Sequence, residues 1–159
     1  MIEIAVNGAC GRMGARIAAL VFEYPELKLV AALERSGNQS IGKDVGLVSG
    51  VGETGIKITM TMNAHADVLI DFSSPESAVA IAEYCARKNI ALVVGTTGLT
   101  AQQHEKIQHF SRQIACLVSP NMSVGVNALF DLVAQASKMV GNEFDIEIIE
   151  THHRFKKDA

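Results

Sequence analysis

The sequence predicts an α/β protein, with a Rossmann-like doubly wound parallel sheet followed by the start of a second mixed α/β domain. Three observations lead there. Short apolar runs alternate with helical patterns over residues 1–123, a glycine-rich turn joins the first run to the first helix, and an acid closes the second run.

The 159 residues suffice for one good core or for one domain and part of another. With 48% hydrophobic and 19% charged residues the chain reads as globular rather than disordered. A net charge of -3 and the lack of a basic stripe give no reason to expect nucleic acid. The start, "MIEIAVNGAC", lacks the basic region and long apolar run of a signal peptide. No apolar stretch approaches the roughly 18 residues of a membrane helix. Cys10, Cys85 and Cys116 are scattered and form no CxxC, which suits free thiols in a reducing cytosol. The expectation is a soluble, cytoplasmic protein that binds neither nucleic acid nor membrane.

Strands are expected at 2–6, 28–33, 58–61, 68–71, 91–94 and 115–118, several of them almost continuously apolar, as parallel strands buried on both faces are. Between them, 12–22 places Ile17, Leu20 and Val21 on one helical stripe and ends ahead of Pro25. Ser74 followed by Pro75 reads as an N-cap with proline at the first helical position, opening a helix to about residue 88. "TAQQ" at 100–103 offers a capping box to the next helix. Residues 35–55 carry six glycines without steady periodicity and read as a long irregular excursion. After "SPNMSVGVN", Val126, Leu129, Val133 and Val140 define a helix over 126–140 that Gly141 can stop. A strand over 145–150 should follow. One helix and one strand cannot bury both their faces, so 124–159 reads as the opening of a second domain.

The glycine turn carries the first functional signal. In "IAVNGACGRMGARIAAL" the places of the G-x-G-x-x-G fingerprint are held by Ala9, Gly11 and Gly14, with Gly8 one residue earlier. A tight turn, close backbone approach to a pyrophosphate and a helix N-terminus aimed at the anion remain available. Twenty residues past Gly14, at the end of the second strand, stands Glu34, where an acid accepts hydrogen bonds from the adenosine ribose. Arg35 beside it can pair with the 2′-phosphate of NADP, whereas a carboxylate favours NAD. Use of both cofactors is expected.

In an open α/β sheet the ligand crevice lies beyond the carboxyl ends of the strands. Three such ends stand out: "DFSSPE" at 71–76, "VGTTGL" at 94–99 and "SPNMSVGVN" at 119–127. Cap chemistry accounts for Ser74 and Pro75. In 95–98 two glycines flank two hydroxyls, which combines close backbone approach with donors. The end of the chain, "ETHHRFKKDA", is cationic. Continued as a strand, it would place His152, Arg154 and Lys156 on one face and His153 on the other, which does not suit a shared metal site. No metal is expected. A convergent His, Arg and Lys group suits a carboxylate-bearing substrate, and His and Lys can carry protons near neutral pH.

Taken together, "GACGRMG", "AALER", "GTTGL", "NMSVGVN" and "IEIIETHHRFKKDA" resemble the dihydrodipicolinate (4-hydroxy-tetrahydrodipicolinate) reductase family of bacterial lysine and diaminopimelate synthesis, over the whole chain. The most specific segment is E-x-H-H-x-x-K-x-D. In the family it is followed by P-S-G-T, which binds a substrate carboxylate, and the chain stops one residue short of it. The resemblance implies a reductase that is cut within its active site and inactive alone, and a homotetramer when full length. It implies hydride transfer from NADH or NADPH to a cyclic imine dicarboxylate. It also implies His152 as the acid that protonates the carbanionic centre, Lys156 as proton donor and carboxylate partner, His153 as a substrate contact, and Thr97 between nicotinamide and substrate. Cofactor contacts would fall on Gly8, Ala9, Cys10, Gly11, Arg12, Met13, Glu34, Arg35, Gly95, Thr96, Thr97, Ser119, Pro120, Asn121 and Met122. Phe155 departs from the pattern, since some members carry a further histidine there. Two other readings share the glycine turn: a different two-domain Rossmann oxidoreductase, such as an amino-acid or sugar dehydrogenase, and a non-catalytic dinucleotide-sensing module.

Overall fold

Ile4 and Val6 belong to one apolar cluster and Ala5, between them, to another, and all three are buried. A strand whose alternate residues both enter cores must lie inside a two-faced sheet. This strand, β1 (Ile2–Asn7), sits in a six-stranded sheet in the computed structural model, which describes residues 1–149, 151 and 154. Its neighbours are β2 (Leu27–Leu33) and β4 (Val68–Asp71), and the sheet continues through β3 (Ile58–Thr59), β5 (Ala91–Val94) and β6 (Cys116–Val118). The order is β3-β2-β1-β4-β5-β6 and every pairing between strands is parallel. The six strands predicted within residues 1–123 are all present, and the order reverses between β1 and β4, where such sheets open their crevice.

The helices divide between the two faces. Ala18 and Val21 of α1 (Arg12–Glu23) join Ile4, Val6 and Ile58 in one cluster. Ala78, Ala82 and Cys85 of α3 (Pro75–Lys88) and Ile107 of α4 (Ala101–Ser111) join Ala5, Leu69 and Leu92 in the other. Buried alanines on α1 and α3 let these helices lie close on the sheet. Local signals start and stop each helix. The Ser74 hydroxyl accepts from the Ser77 N–H ahead of α3, and Asn89, left-handed at φ 53°, ends it. Thr100 and Gln103 form a reciprocal capping box on α4.

The 35–55 excursion is more ordered than its composition predicts. It contains a one-turn helix, α2 (Val45–Ser49), which rests on the α1 face through the fully buried Val45. Asp44 organises it: its carboxylate accepts from the N–H groups of Gly46, Leu47, Thr54 and Gly55 and from the Thr54 hydroxyl. One turn is too short to show a hydrophobic period, so only the capping aspartate could have marked it.

The chain divides into two units, Met1–Pro120 and Asn121–Ala159. The first holds the sheet. The second contains α5 (Val124–Val140), which starts two residues before the predicted 126 because Ser123 caps it, and a 3₁₀ turn at Gly141–Glu143. No residue of α5 is buried. The strand expected at 145–150 is a correction: 145–149 form no strand, and Glu150 lies outside the described residues. A strand exists only by exchanging hydrogen bonds with a neighbour, and no described segment offers it one.

Candidate functional site

The turn after β1 is shaped by what surrounds its glycines. Gly8 makes the turn at φ +77°, and a Cβ there would also lie 2.3 Å from the Phe72 carbonyl oxygen. A Cβ on Gly14 would lie 2.1 Å from the Gly8 carbonyl oxygen, so α1 can approach the turn only with glycine at that position. The positive-φ residue is therefore Gly8 and not Ala9, the residue in the first fingerprint place. Ala9, predicted as a cofactor contact, is fully buried in the α1-side core, with its N–H on the Leu33 carbonyl at 3.0 Å. It shapes the turn and presents no surface.

Accounting for the amides of this turn shows what is left for a ligand. Gly8 and Ala9 both donate to Leu33, and Gly11 donates to the Gly8 carbonyl. Cys10 donates to the Glu34 carboxylate at 3.1 Å. The N–H groups of Arg12, Met13 and Gly14 have no partner among the described residues, Gly11 gives α1 no side-chain cap, and its first turn holds no acid. A helix start of this kind favours an anion by dipole and by open donors together.

Glu34 leaves β2 beside this turn, its carboxylate also accepting the Arg35 N–H at 3.0 Å. Gly8, Cys10, Gly11, Glu34, Arg35 and Phe72 line one cavity of about 310 Å³. Arg35 is exposed there. Burial and then the Glu34 charge push the Cys10 thiol up, so it stays neutral beside the carboxylate. A larger hollow of about 690 Å³ lies at the amino ends of β1 and β2, around Tyr24, Lys28 and His65. It has neither the glycine turn nor an open helix start.

Behind the cavity lies a buried polar cluster that the sequence did not reveal. The Asp71 carboxylate, fully buried at the end of β4, accepts from Asn7 Nδ2, the Ser73 hydroxyl and the Thr96 hydroxyl, each at 2.6 Å. Asn7 Nδ2 also reaches Ser73 at 3.1 Å and Ser77 at 2.8 Å. Burial raises the Asp71 pKa, and the hydrogen bonds from Ser73, Thr96 and Asn7 oppose that rise. The cluster ties the ends of β1, β4 and β5 together. Thr96, predicted to meet the cofactor, spends its hydroxyl inward on Asp71 and on the Ser73 N–H. The close approach at Gly95 is also internal, since a Cβ there would lie 2.1 Å from the Phe72 ring. Thr97 is exposed.

Ser119 follows β6, and its N–H donates to the Val94 carbonyl at 3.0 Å. The predicted run Ser119–Met122 is divided between the two units after Pro120. Asn121 accepts from the Ser123 N–H at 2.9 Å at the start of α5. His152, His153, Phe155 and Lys156 lie outside the described residues. Of the residues that line the cavity, Asn7, Asn38, Phe72, Ser73 and Ser77 had no predicted role, nor had Asp71 behind it. The one signal was the run "DFSSPE" following an apolar strand.

A six-stranded parallel sheet in this order, with an open helix start after β1 and an acid after β2, defines a Rossmann-like protein. Residues 2–122 match the family described as "Dihydrodipicolinate reductase, N-terminus" and residues 125–159 the one described as "Dihydrodipicolinate reductase, C-terminus". The chain belongs to the dihydrodipicolinate reductase family. It is 43% identical, over its whole length, to proteins named 4-hydroxy-tetrahydrodipicolinate reductase from Citrifermentans bemidjiense and Anaeromyxobacter dehalogenans. It spans 61% and 60% of those two proteins. Among solved structures it is similar in fold to the dipicolinate-bound dihydrodipicolinate reductase of Paenisporosarcina sp. TG-14. That match has a TM-score of 0.68 and 22% identity, covering 86% of this chain and 53% of that one. A myo-inositol dehydrogenase from Corynebacterium glutamicum matches with a TM-score of 0.58 at 17% identity, over 89% of this chain and 43% of that one.

Proposed function

We propose that this chain is the dinucleotide-binding part, with the beginning of the substrate part, of an NAD(P)H-dependent 4-hydroxy-tetrahydrodipicolinate reductase of lysine and diaminopimelate synthesis. One observation carries the reading. The glycine turn that opens α1 and the carboxylate of Glu34 line one cavity, the pairing that pyrophosphate and ribose binding uses in such sheets. Gly8 and Gly14, where a side chain would clash with backbone, lie at the same point.

In this reading Arg12 and Met13 bind the pyrophosphate through their N–H groups. Glu34 exchanges the Cys10 amide for the adenosine ribose hydroxyls, and Arg35 takes a 2′-phosphate when NADPH is used. Thr97 stands between nicotinamide and substrate. The reduced dinucleotide supplies the hydride for a cyclic imine dicarboxylate. His152 returns a proton to the reduced ring, Lys156 donates and pairs with a carboxylate, and His153 touches the substrate. The whole protein works as a homotetramer. The exposed apolar residues of α5, including Leu129, Phe130 and Leu132, support assembly. We assign it to the cytoplasm, with which its three free thiols accord.

Titrating NADH and NADPH into the chain tests the cofactor half. Saturable binding of both with similar affinity is expected, and Arg35→Ala should weaken NADPH relative to NADH. No binding of either would overturn the reading. Oxidation of NADH by the protein of full family length, dependent on 4-hydroxy-tetrahydrodipicolinate, tests the substrate. A dehydrogenase of another substrate class or a sensing module would show none.

A further inference from the structure

We propose that Ser77 reads the adenosine half of the dinucleotide, and that Asn7, held by Asp71, aims its hydroxyl for that purpose. The inference rests on the dinucleotide reading and extends it to a residue that neither the glycine fingerprint nor the Glu34–Arg35 pair includes.

The cavity over the glycine turn does not end at Glu34. A second hollow of about 500 Å³ shares Asn7, Glu34, Arg35 and Ser77 with it, so the two form one crevice across the ends of β1 and β2. The glycine turn borders only the first hollow. The walls of the second include Met60, Met62, Ile81 and Tyr84, apolar and aromatic side chains suited to the faces of a flat base, with Arg87 and Thr61 at its polar side. With pyrophosphate at α1 and ribose at Glu34, the base continues into this hollow. Ser77 stands at the junction.

Its hydroxyl is unusually well placed to donate there. Asn7 Nδ2 points at the Asp71 carboxylate at 2.6 Å, and turning the amide over would set its oxygen against a buried carboxylate. The amide is thereby locked with one hydrogen on Asp71 and the other toward Ser77, where it occupies a lone pair of the Ser77 oxygen at 2.8 Å. No described residue accepts the Ser77 proton, which leaves it for an acceptor on the purine or its ribose.

A local structural role does not account for this hydroxyl. The cap of α3 is supplied by the Ser74 oxygen and Pro75. Asp71 keeps its three donors, from Asn7, Ser73 and Thr96, whether or not Ser77 carries an oxygen. Ser77 is half-buried beside two hollows and contributes nothing to the carboxylate behind it.

The test is calorimetric binding of NADH and of ADP-ribose, which is the dinucleotide without its nicotinamide, to the chain and to Ser77→Ala. Loss of one neutral hydrogen bond should weaken both ligands by the same factor, roughly three- to tenfold. Ser77→Thr should restore most of it, and the urea midpoint of Ser77→Ala should match wild type. Asn7→Ala should show the same loss, with no further loss when Ser77→Ala is added, because both act through one contact. Should Asn7→Ala fail to fold, the Ser77 comparison decides alone. Unchanged ADP-ribose affinity in Ser77→Ala overturns the proposal, as does a loss for NADH without one for ADP-ribose. A wild-type chain that binds neither ligand overturns the dinucleotide reading beneath it.

Discussion

Gly14 has no room for a side chain, because the Gly8 carbonyl occupies the space. Both atoms concerned are backbone or fixed to it, so Gly14→Ala must push α1 away from the turn. Such overpacking costs on the order of 1–3 kcal/mol. A lower urea midpoint together with weakened NADH binding is expected, since the same shift moves the open amides of Arg12 and Met13. Asp71 behaves differently, because its strain is electrostatic. Burial raises its pKa in the folded chain, so between the ordinary carboxylate value and the raised one the folded state holds more protons than the unfolded state. The stability that Asp71 contributes therefore falls as pH rises through this window and returns as pH is lowered through it. Asp71→Asn, which cannot titrate, should lose more stability relative to wild type at pH near 4 than at pH 7. Urea titrations of the pair at the two pH values check it; an equal difference at both would mean that the carboxylate is as well solvated by its three donors as by water.

Among the elements, α2 depends on one side chain. Desolvation raises the Asp44 pKa, but the hydrogen bonds from Thr54, Gly46 and Gly55 outweigh it and hold the carboxyl below its usual value. Its contribution to stability is thus present above the ordinary carboxylate range and lost as pH falls through the lowered value. Asp44→Ala should speed amide hydrogen exchange at Thr54 and Gly55 near neutral pH, and exchange at the α3 amides should stay as in wild type. The longer elements were legible because each carries several agreeing signals. β5 is apolar throughout and β4 is apolar up to Asp71 at its end, α3 has Ser74 and Pro75 at its start, and α4 has both halves of its capping box. The one-turn α2 has a single signal, Asp44. The segment 145–149 has a strand's composition and no partner, and composition alone cannot supply a ladder.

For the whole molecule, the reductase reading places the proton chemistry on residues distant in sequence from the glycine turn. In the protein of full family length, His152→Gln and Lys156→Ala should each lower turnover by roughly a hundredfold or more, as loss of a positioned proton donor does. NADH affinity should barely change, since neither residue belongs to the turn or to the Glu34–Arg35 end. A stopped-flow comparison of NADH binding with turnover separates the two effects; near-normal turnover in His152→Gln would assign the proton to another group. By itself the sequence determined the strand and helix alternation, the position of the glycine turn, the acid after β2 and the family, because all of these are written in near neighbours or in short motifs. Tertiary structure alone decided where hydrogen bonds between distant residues go. Asn7, Asp71 and Thr96 meet because β1, β4 and β5 lie side by side in parallel, which turns the Thr96 hydroxyl inward and locks the Asn7 amide toward Ser77. Whether a polar side chain faces a ligand or a buried carboxylate depends on which strand ends are adjacent, and adjacency is set by the packing of two apolar faces rather than by any local run of residues.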